Sequence, residues 1–253
     1  MTTRKSRTYA PLMARQRLDH VLVERGLAES RAKARALVMA GDVVVNDQQS
    51  QRAGQLVDES AEILVKQKQR FVSRGGLKLE HALDRFDVDV AGLVAADLGA
   101  STGGFTDCLL QRGASRVYAI DSGHGQLDYR LRQDKRVVVM EKVNARESLD
   151  LPEAIDIVTA DLSFISLTKV LPAAGQALSP GGQLIVLLKP QFEARRHEVG
   201  KGGVIRDPQL HSHIIGRFVN WATDNGFFVN NLALSPITGP AGNKEFLLHL
   251  VPS

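Results

Sequence analysis

Four charged residues and one glycine-rich turn carry the chemistry in this sequence. Asp161 closes the apolar run "IDIVTAD" and Lys189 closes "QLIVLLK", each a charge appended to a buried strand pattern. Lys78 lies in the helical stretch "LKLEHAL", and Glu245 lies on the final strand pattern "NKEFLLHL". One charge at a strand end is ordinarily a solvent contact. Two on adjacent strands beside a ligand loop point to a site. Two lysines and two carboxylates around one pocket suit methyl transfer to a hydroxyl. A ribose hydroxyl is a weak nucleophile that must lose its proton near the moment of attack. A lysine beside another cation can act as the base or orient the oxygen. The carboxylates hold the lysines and complement a sulfonium charge, so no metal is required.

The ligand loop is "LVAADLGASTGGFTDCLL", Leu93 to Leu110. Gly99 permits a tight turn, Gly103 and Gly104 let backbone approach a ligand, and Ala100, Ser101 and Thr102 are small enough to leave a pocket open. Asp121 ends the next strand pattern, "RVYAID", where a carboxylate can accept both hydroxyls of a ribose. A dinucleotide site wants G-x-G-x-x-G against a pyrophosphate. Here the glycines fall as G-x-x-x-G-G with Asp97 before them. That carboxylate is unwelcome beside a pyrophosphate and suits the cationic amino-acid end of S-adenosylmethionine. Three options stay open at this point: S-adenosylmethionine, another nucleotide, or a purely structural turn.

These residues need elements to hold them. Residues 1–14 read as a flexible basic tail. "RLDHVLVERGL" and "ESRAKARALVMAGD" read as two helices, with Ser30 as N-cap and Gly41 as the stop of the second. "VVVN" and "EILVK" read as short strands. Residues 15–72 therefore form a small α+β domain. From residue 73 to 253, "LKLEHALDRF" is a helix, after which strand patterns alternate with helices. One helix starts at Thr102, one lies near Leu127, one covers "LTKVLPAAGQAL", and one runs from Asp207 to Asn225. This alternation predicts an α/β, Rossmann-like, mostly parallel sheet. "FFVNNLALSPI" and "KEFLLHLV" have no helix between them and should pair antiparallel at one edge.

Composition narrows the classes. The chain has 253 residues, 43% hydrophobic and 24% charged, an ordinary globular balance. No apolar run reaches the ~18–20 residues of a membrane span. The basic N-terminus has no apolar segment behind it, so no secretory signal is visible. Cys108 is the single cysteine, which excludes an internal disulfide and fits a cytoplasmic protein. Residues 1–72 hold 13 Lys/Arg against 8 Asp/Glu, while the remainder holds 19 against 20. The basic excess sits in the first third and invites a polyanion.

Together "SRGGLKLEHAL", "DLGASTGGFTDCLL", "AIDSGHGQLDYRLRQDKRV", "ADLSFISL", "LLKPQFEA", "GKGGVIRD" and "SPITGPAGNKEFLLHL" resemble the TlyA-type, haemolysin-A-like proteins, within the wider FtsJ-like ribose 2′-O-methyltransferases. "RLDHVLVERGLAESRAKARALVMAGDVVVNDQ" resembles an S4 RNA-binding domain. The pair Gly75–Gly76 departs from the family pattern, in which other small residues often take the second position. The resemblance implies methylation of the 2′-hydroxyl of cytidine in ribosomal RNA, with S-adenosylmethionine as donor. It implies a Lys-Asp-Lys-Glu tetrad of Lys78, Asp161, Lys189 and Glu245, with Lys189 central, Asp161 supporting it, and Lys78 and Glu245 positioning the ribose. It implies cofactor contacts from Asp97, Gly99, Ser101, Thr102, Gly103, Gly104 and Asp121, with Asn144 at the adenine end. In the S4 domain, Arg15, Arg17, Arg31, Lys33 and Arg35 are the expected phosphate contacts, which position RNA rather than read bases. Aromatics are scarce there, so structured RNA read by shape is the expected partner.

Other residues read blandly. Cys108 is expected in the core. His211 and His213 are two apart on a helix and face different ways, so no metal is expected. His124 lies near the proposed cofactor pocket. "EARRHEVGKGGVIRD" reads as a mobile loop that could close over substrate. The alternative function is an rRNA- or ribosome-binding factor with a non-catalytic methyltransferase-like domain, which the charge asymmetry fits equally well. A membrane-lysing protein fits poorly, with no spanning segment or amphipathic lytic helix in the sequence.

Overall fold

The computed structural model describes residues 15–50, 52–65, 70–147, 149–200 and 202–253. The tail expected over residues 1–14 lies outside them. The chain divides into two compact units, 1–68 and 69–253. Residues 70–72, expected in the first domain, pack with the second. Val72 N donates to Asp107 Oδ2 at 2.8 Å, and Gln111 Nε2 donates to the Arg70 carbonyl at 3.1 Å.

The first unit contains β1 (Arg15–Arg17), α1 (Leu18–Glu24), α2 (Arg31–Met39), β2 (Val43–Val45), β3 (Gln48–Gln49), β4 (Leu56–Asp58) and β5 (Ile63–Val65). Ser30 caps α2, its hydroxyl accepting from Lys33 N at 3.2 Å, and Gly41 ends it with φ +77°. Strands β1, β3 and β4 are additional to the two expected. β1 pairs antiparallel with β4, while β2 pairs with both β3 and β5. Such short strands of two or three residues lack the alternation that would mark them in sequence. Leu18, Leu22, Ala34, Val38, Val43 and Ile63 form the core between them.

The second unit contains α3 (Gly75–Phe86), β6 (Val94–Leu98), α4 (Gly104–Gln111), β7 (Arg116–Asp121), α5 (Tyr129–Gln133), β8 (Val137–Glu141), β9 (Ile155–Ala160), α6 (Leu171–Gln176), β10 (Leu178–Leu188), α7 (Pro190–Glu193), α8 (Pro208–Asp224), β11 (Phe227–Leu234) and β12 (Phe246–Pro252). The seven strands lie in the order β11-β12-β10-β9-β6-β7-β8. The strands from β6 to β10 pair in parallel, and β12 inserts antiparallel between β10 and β11. Adjacent residues of one strand serve opposite faces. On β10, Ile185 and Leu187 join the core under α3, α4 and α5, whereas Leu184, Val186 and Leu188 join the core under α6 and α8. Helices thus cover both faces of the sheet, which is why its strands read as continuous apolar runs.

Three local expectations need correction. The helix expected from Thr102 begins at Gly104, because Gly103 takes φ +99°. "LTKVLPAAGQAL" is a 3-10 turn at Leu167–Lys169 followed by α6, with Pro172 in the first turn of the helix and Leu178 already in β10. Glu245 precedes β12 rather than lying on it. Between β6 and β9 the chain changes its direction of travel across the sheet. The crevice outside the C-terminal ends of these two strands is where α/β sheets bind ligands.

Candidate active site

Asp161 follows β9 directly and Lys189 follows β10 directly, so two neighbouring parallel strands deliver opposite charges to the crevice. Their groups stand 2.7 Å apart, Lys189 Nζ to Asp161 Oδ1. Lys189 Nζ also donates to Ser163 Oγ at 3.0 Å. On the other side, Lys78 Nζ lies 3.9 Å from Asp161 Oδ2 and donates to Glu245 Oε2 at 2.6 Å. The four groups form one alternating line from Glu245 through Lys78 and Asp161 to Lys189. Lys78, Lys189 and Glu245 are 7%, 8% and 1% exposed. Charges this buried persist only when paired, and the line is neutral overall.

The turn after β6 lies beside this line. Gly99 N and Ala100 N both donate to the Ile120 carbonyl, and Gly99 takes φ +80°. A Cβ there would sit 2.7 Å from the Asp161 carbonyl oxygen, so only glycine lets β9 pass this close. Ser101, at φ +48°, donates its N–H to Asp121 Oδ2 at 2.8 Å. Asp121 Oδ1 accepts from Gly123 N at 2.7 Å. One carboxylate thus ties together the turns after β6 and β7.

Two of the glycines also meet neighbouring helices, although Gly104 lines the cavity at the crevice as well. A Cβ on Gly103 would meet Leu131 and Leu127, and one on Gly104 would meet Ser73 Oγ and, at 2.9 Å, Gly76 N. Their smallness serves helix packing: α4 sits on α5 through Gly103 and on the start of α3 through Gly104. Gly76 belongs to the same contact, with Phe71 filling the space its side chain would need. Asp97 departs from expectation. It is fully buried beneath the turn and lines neither cavity at the crevice, its oxygens accepting from Thr106 N (2.9 Å), Thr106 Oγ1 (2.7 Å) and Thr159 Oγ1 (3.2 Å). Burial pushes its carboxyl up to about 7, against the opposing pull of the Thr106 and Thr159 bonds.

Two cavities adjoin at Gly99, Ser101, Asp161 and Ser163. One, of about 290 Å³, holds the charged line together with Thr102 and Arg74. The other, of about 670 Å³, runs past Asp121 and Gln126 to Asn144. Asn144 is exposed, and its amide bonds Glu147 Oε1 at 3.0 Å. An apolar hollow of about 530 Å³ opens beyond Lys189 and Glu245, walled in part by Phe164 and Phe192. Phe164 is 89% exposed at φ +63°, a strained backbone for a bulky residue, and its ring lies 5.3 Å from that of Phe192.

Several residues of this region escape sequence reasoning. Ser163, two after Asp161, borders all three cavities. Glu193 on α7 accepts from Ser166 Oγ at 2.5 Å and Leu167 N at 2.7 Å, pinning the segment after Asp161 to the segment after Lys189. Burial raises its carboxyl above the usual range. The loop after α7 is anchored where it is described. Glu198 holds Arg217 with two 2.7 Å bonds, and Asn243 bridges Ile205 N and the Gly203 carbonyl, both at 2.9 Å. The common signal is a polar residue within a few positions of a strand-end charge.

Cys108 is fully buried in the core. His124 pairs with Glu141 at 2.6 Å and lines neither cavity at the crevice. His211 Nε2 contacts the Ile205 carbonyl at 3.1 Å. Among the described residues no group of three or more His, Cys, Asp or Glu could hold a metal, and no helix is long and apolar enough to cross a membrane.

In the first unit, Arg17, Arg31 and Arg35 converge on Asp19, a residue the sequence pattern does not single out. Arg17 contacts it through two atoms at 3.0 and 3.1 Å, Arg35 Nε at 3.1 Å and Arg31 Nη2 at 3.3 Å. Asp19 is fully buried while the three arginine side chains stay about half exposed, at 45%, 48% and 54%. The Arg17 guanidinium, with help from Arg35 and Arg31, holds the Asp19 carboxyl well below the usual range. Arg15 pairs separately with Asp58 at 3.3 Å. Lys33 sits two positions from both Arg31 and Arg35, about 200° around α2, and does not join the cluster.

Known proteins match both units. The FtsJ-like methyltransferase family model covers residues 71–251, and the S4 domain model covers 16–63. YqxC of Bacillus subtilis (strain 168) is 48% identical over 240 residues, 93% of this chain and 85% of that protein. The 16S/23S rRNA (cytidine-2'-O)-methyltransferase TlyA of Mycobacterium tuberculosis is 44% identical over 242 residues, 93% of this chain and 90% of that protein. A solved structure of a hemolysin-like protein from Streptococcus thermophilus superposes with a TM-score of 0.73 at 43% identity, covering 96% of this chain and 90% of that one. With a seven-stranded sheet of this order, a glycine turn beside a buried line of paired charges, and matches spanning nearly the whole length, the chain belongs to the FtsJ-like methyltransferase family and carries an S4 domain ahead of its catalytic fold.

Proposed function

We propose that this protein transfers a methyl group from S-adenosylmethionine to the 2′-hydroxyl of a cytidine in ribosomal RNA. The observation that carries this reading is the line Glu245–Lys78–Asp161–Lys189 standing at the mouth of the glycine-turn cavity. The name of the Mycobacterium tuberculosis relative supports the choice of cytidine and of ribosomal RNA.

The residues present fit the cofactor. The 670 Å³ cavity lined by Gly99, Ser101, Asp121 and Asn144 is of drug-sized ligand volume. Gly99, Ser101 and Thr102 would hold the amino-acid end, Asp121 the ribose hydroxyls, and Asn144 the adenine end. Asp121 already accepts two backbone N–H groups and, as a carboxylate, keeps lone pairs for the ribose. Asp97 acts from beneath by fixing the start of α4, while Gly103 and Gly104 shape that helix's entry. When bound, S-adenosylmethionine supplies an electrophilic methyl group.

The remaining work falls to this chain. Lys189 Nζ, held in place by Asp161 and Ser163, orients the ribose hydroxyl and, once its ammonium has released a proton to solvent, takes the hydroxyl proton as the free amine while the oxygen attacks. Lys78, pinned by Glu245, positions the ribose. Phe164 offers an aromatic face beside the charged line on which a base can stack. Arg15, Arg17, Arg31, Lys33 and Arg35 contact RNA phosphates from the S4 unit. Such a substrate places the activity in the cytoplasm.

Incubation with methyl-labelled donor and isolated ribosomal subunits should give 2′-O-methylcytidine at a discrete rRNA position, and Lys189→Ala should abolish it. Incorporation that survives Lys189→Ala would sink the role given to the charged line.

A further inference from the structure

Asp19 raises a question that the RNA-binding role of the arginines does not answer. A basic surface meant for phosphate gains nothing, on net charge, from a carboxylate at its centre. Yet Asp19 is fully buried there, and its Oδ2 alone accepts from Arg17 Nη2, Arg31 Nη2 and Arg35 Nε. The arginines come from separate elements, Arg17 from β1 and Arg31 and Arg35 one turn apart on α2. Without an anion between them, three guanidiniums this close would repel one another and scatter.

We propose that Asp19 is a positioning residue that assembles Arg17, Arg31 and Arg35 into one rigid receptor for adjacent phosphates of the RNA backbone. Three guanidiniums carry about fifteen N–H donors, of which Asp19 occupies four. The three arginine side chains remain about half exposed, so they are open to a solvent-side ligand. Two units of positive charge remain after the carboxylate is counted, enough to neutralise neighbouring phosphates. Side chains fixed in advance lose little further freedom when RNA binds, and the planar forks match phosphate oxygens bidentately. Gly54 packs closely against one of these guanidiniums, since a Cβ there would stand 3.1 Å from both terminal nitrogens of Arg17. Bulk charge and preorganisation predict opposite signs for one substitution. Asp19→Asn removes a negative charge from beneath the basic surface, which by charge alone strengthens RNA binding. Whichever way its amide turns, an N–H₂ group faces at least one guanidinium N–H, and the anion that offset three like charges is gone, which splays the cluster.

The inference rests on the reading that the S4 unit grips RNA, and the test separates the two. Affinity of the full-length protein for isolated ribosomal subunits is measured across a salt series for four proteins. These are the wild type, Asp19→Asn, a triple Arg→Lys variant at 17, 31 and 35, and a triple Arg→Gln variant at the same positions. Amide hydrogen exchange over α1 and α2 reports whether the S4 unit stays folded. The expected result is an affinity about tenfold lower for Asp19→Asn with exchange unchanged, and a comparable loss for the Arg→Lys variant, which keeps the charge and the carboxylate but loses the forks. Binding by folded Asp19→Asn as tight as wild type, or tighter, overturns the proposal. If Asp19→Asn unfolds the unit, the Arg→Lys variant decides: retained affinity overturns the proposal and lost affinity supports it. If Arg→Gln leaves affinity and salt slope unchanged, the RNA-gripping role of this surface fails, and the role of Asp19 fails with it.

Discussion

Lys78 Nζ lies 2.6 Å from Glu245 Oε2, although 167 residues separate the two in the chain. Both side chains are nearly withdrawn from water, at 9% and 1% exposure. Removing the carboxylate strands an ammonium whose next partner, Asp161, is 3.9 Å away. We expect Glu245→Ala to cost about 3 kcal/mol of stability, the lower end of the range for breaking a buried pair, and to abolish methyl transfer. The double variant Lys78→Met with Glu245→Leu removes both charges and should regain most of that stability without any activity. Denaturant melts and an incorporation assay check both halves. Activity in the double variant would remove this pair from the catalytic machinery.

The glycine contact between α3 and α4 makes a second, purely mechanical prediction. A methyl group on Gly104 would stand 2.9 Å from Gly76 N, and backbone cannot swing aside as a side chain can. Gly104→Ala should destabilise by about 1–3 kcal/mol through overpacking. Gly216 on α8 has nothing within 4 Å of its added Cβ and ordinary helical φ. Gly216→Ala should therefore stabilise by about 0.5–1 kcal/mol, the helix-propensity difference. Melting temperatures moving in opposite directions would bear this out, and parallel shifts would contradict it.

Much of this architecture is legible in the sequence because strands buried on both faces read as unbroken apolar runs. Asp161 and Lys189 interrupt such runs at their ends, so charge against a hydrophobic background marks both the sheet and the crevice. The pairing of Lys78 with Glu245 is not legible in that way, since a contact across 167 residues leaves no local pattern. Asp97 shows a different limit. Its place before a glycine turn suggests a ligand contact, but Thr106 and Thr159, nine and 62 residues away, close over its oxygens. Gly103 and Gly104 mark close approaches, and the sequence does not show that neighbouring helices make them too. Asp19 looks like one more charge in a basic segment until α1 and α2 fold against each other.

The buried Asp97 carboxyl gives a pH signature of definite sign. Its usual value of 3.8 rises to about 7 in the folded protein, so the native state binds a proton more tightly than the unfolded chain. Stability from this group is complete below about pH 4 and is lost as pH rises through 7. Asp97→Asn is neutral at every pH, and its carbonyl oxygen can still accept from Thr106 N. Between pH 5 and 8 the wild type should lose about 2–3 kcal/mol more than Asp97→Asn, on the order of 1.4 kcal/mol per pH unit up to about pH 7 and little above it. Thermal melts of both proteins across that interval test this. Equal slopes would mean that Asp97 is already ionised at pH 5.

The loop between α7 and α8 supplies the last prediction. Asn243 is 2% exposed and joins Ile205 N and the Gly203 carbonyl through one amide, two residues before Glu245. It also borders the apolar hollow beyond Lys189. Asn243→Ala leaves a buried N–H and a carbonyl without partners, at a cost of about 1–3 kcal/mol for each such group. That penalty is paid only while the loop is docked, so the variant should favour the released loop. Trypsin should then cut after Arg195 or Arg196 at least tenfold faster than in the wild type, because cleavage follows the open population when reclosing is fast. Asn243→Asp can restore only the bond from Ile205 N, since a carboxylate has no N–H for the Gly203 carbonyl, and its cleavage rate should fall between the two. A rate for Asn243→Ala equal to wild type would show that the Glu198–Arg217 pair and the His211–Ile205 contact hold the loop without Asn243.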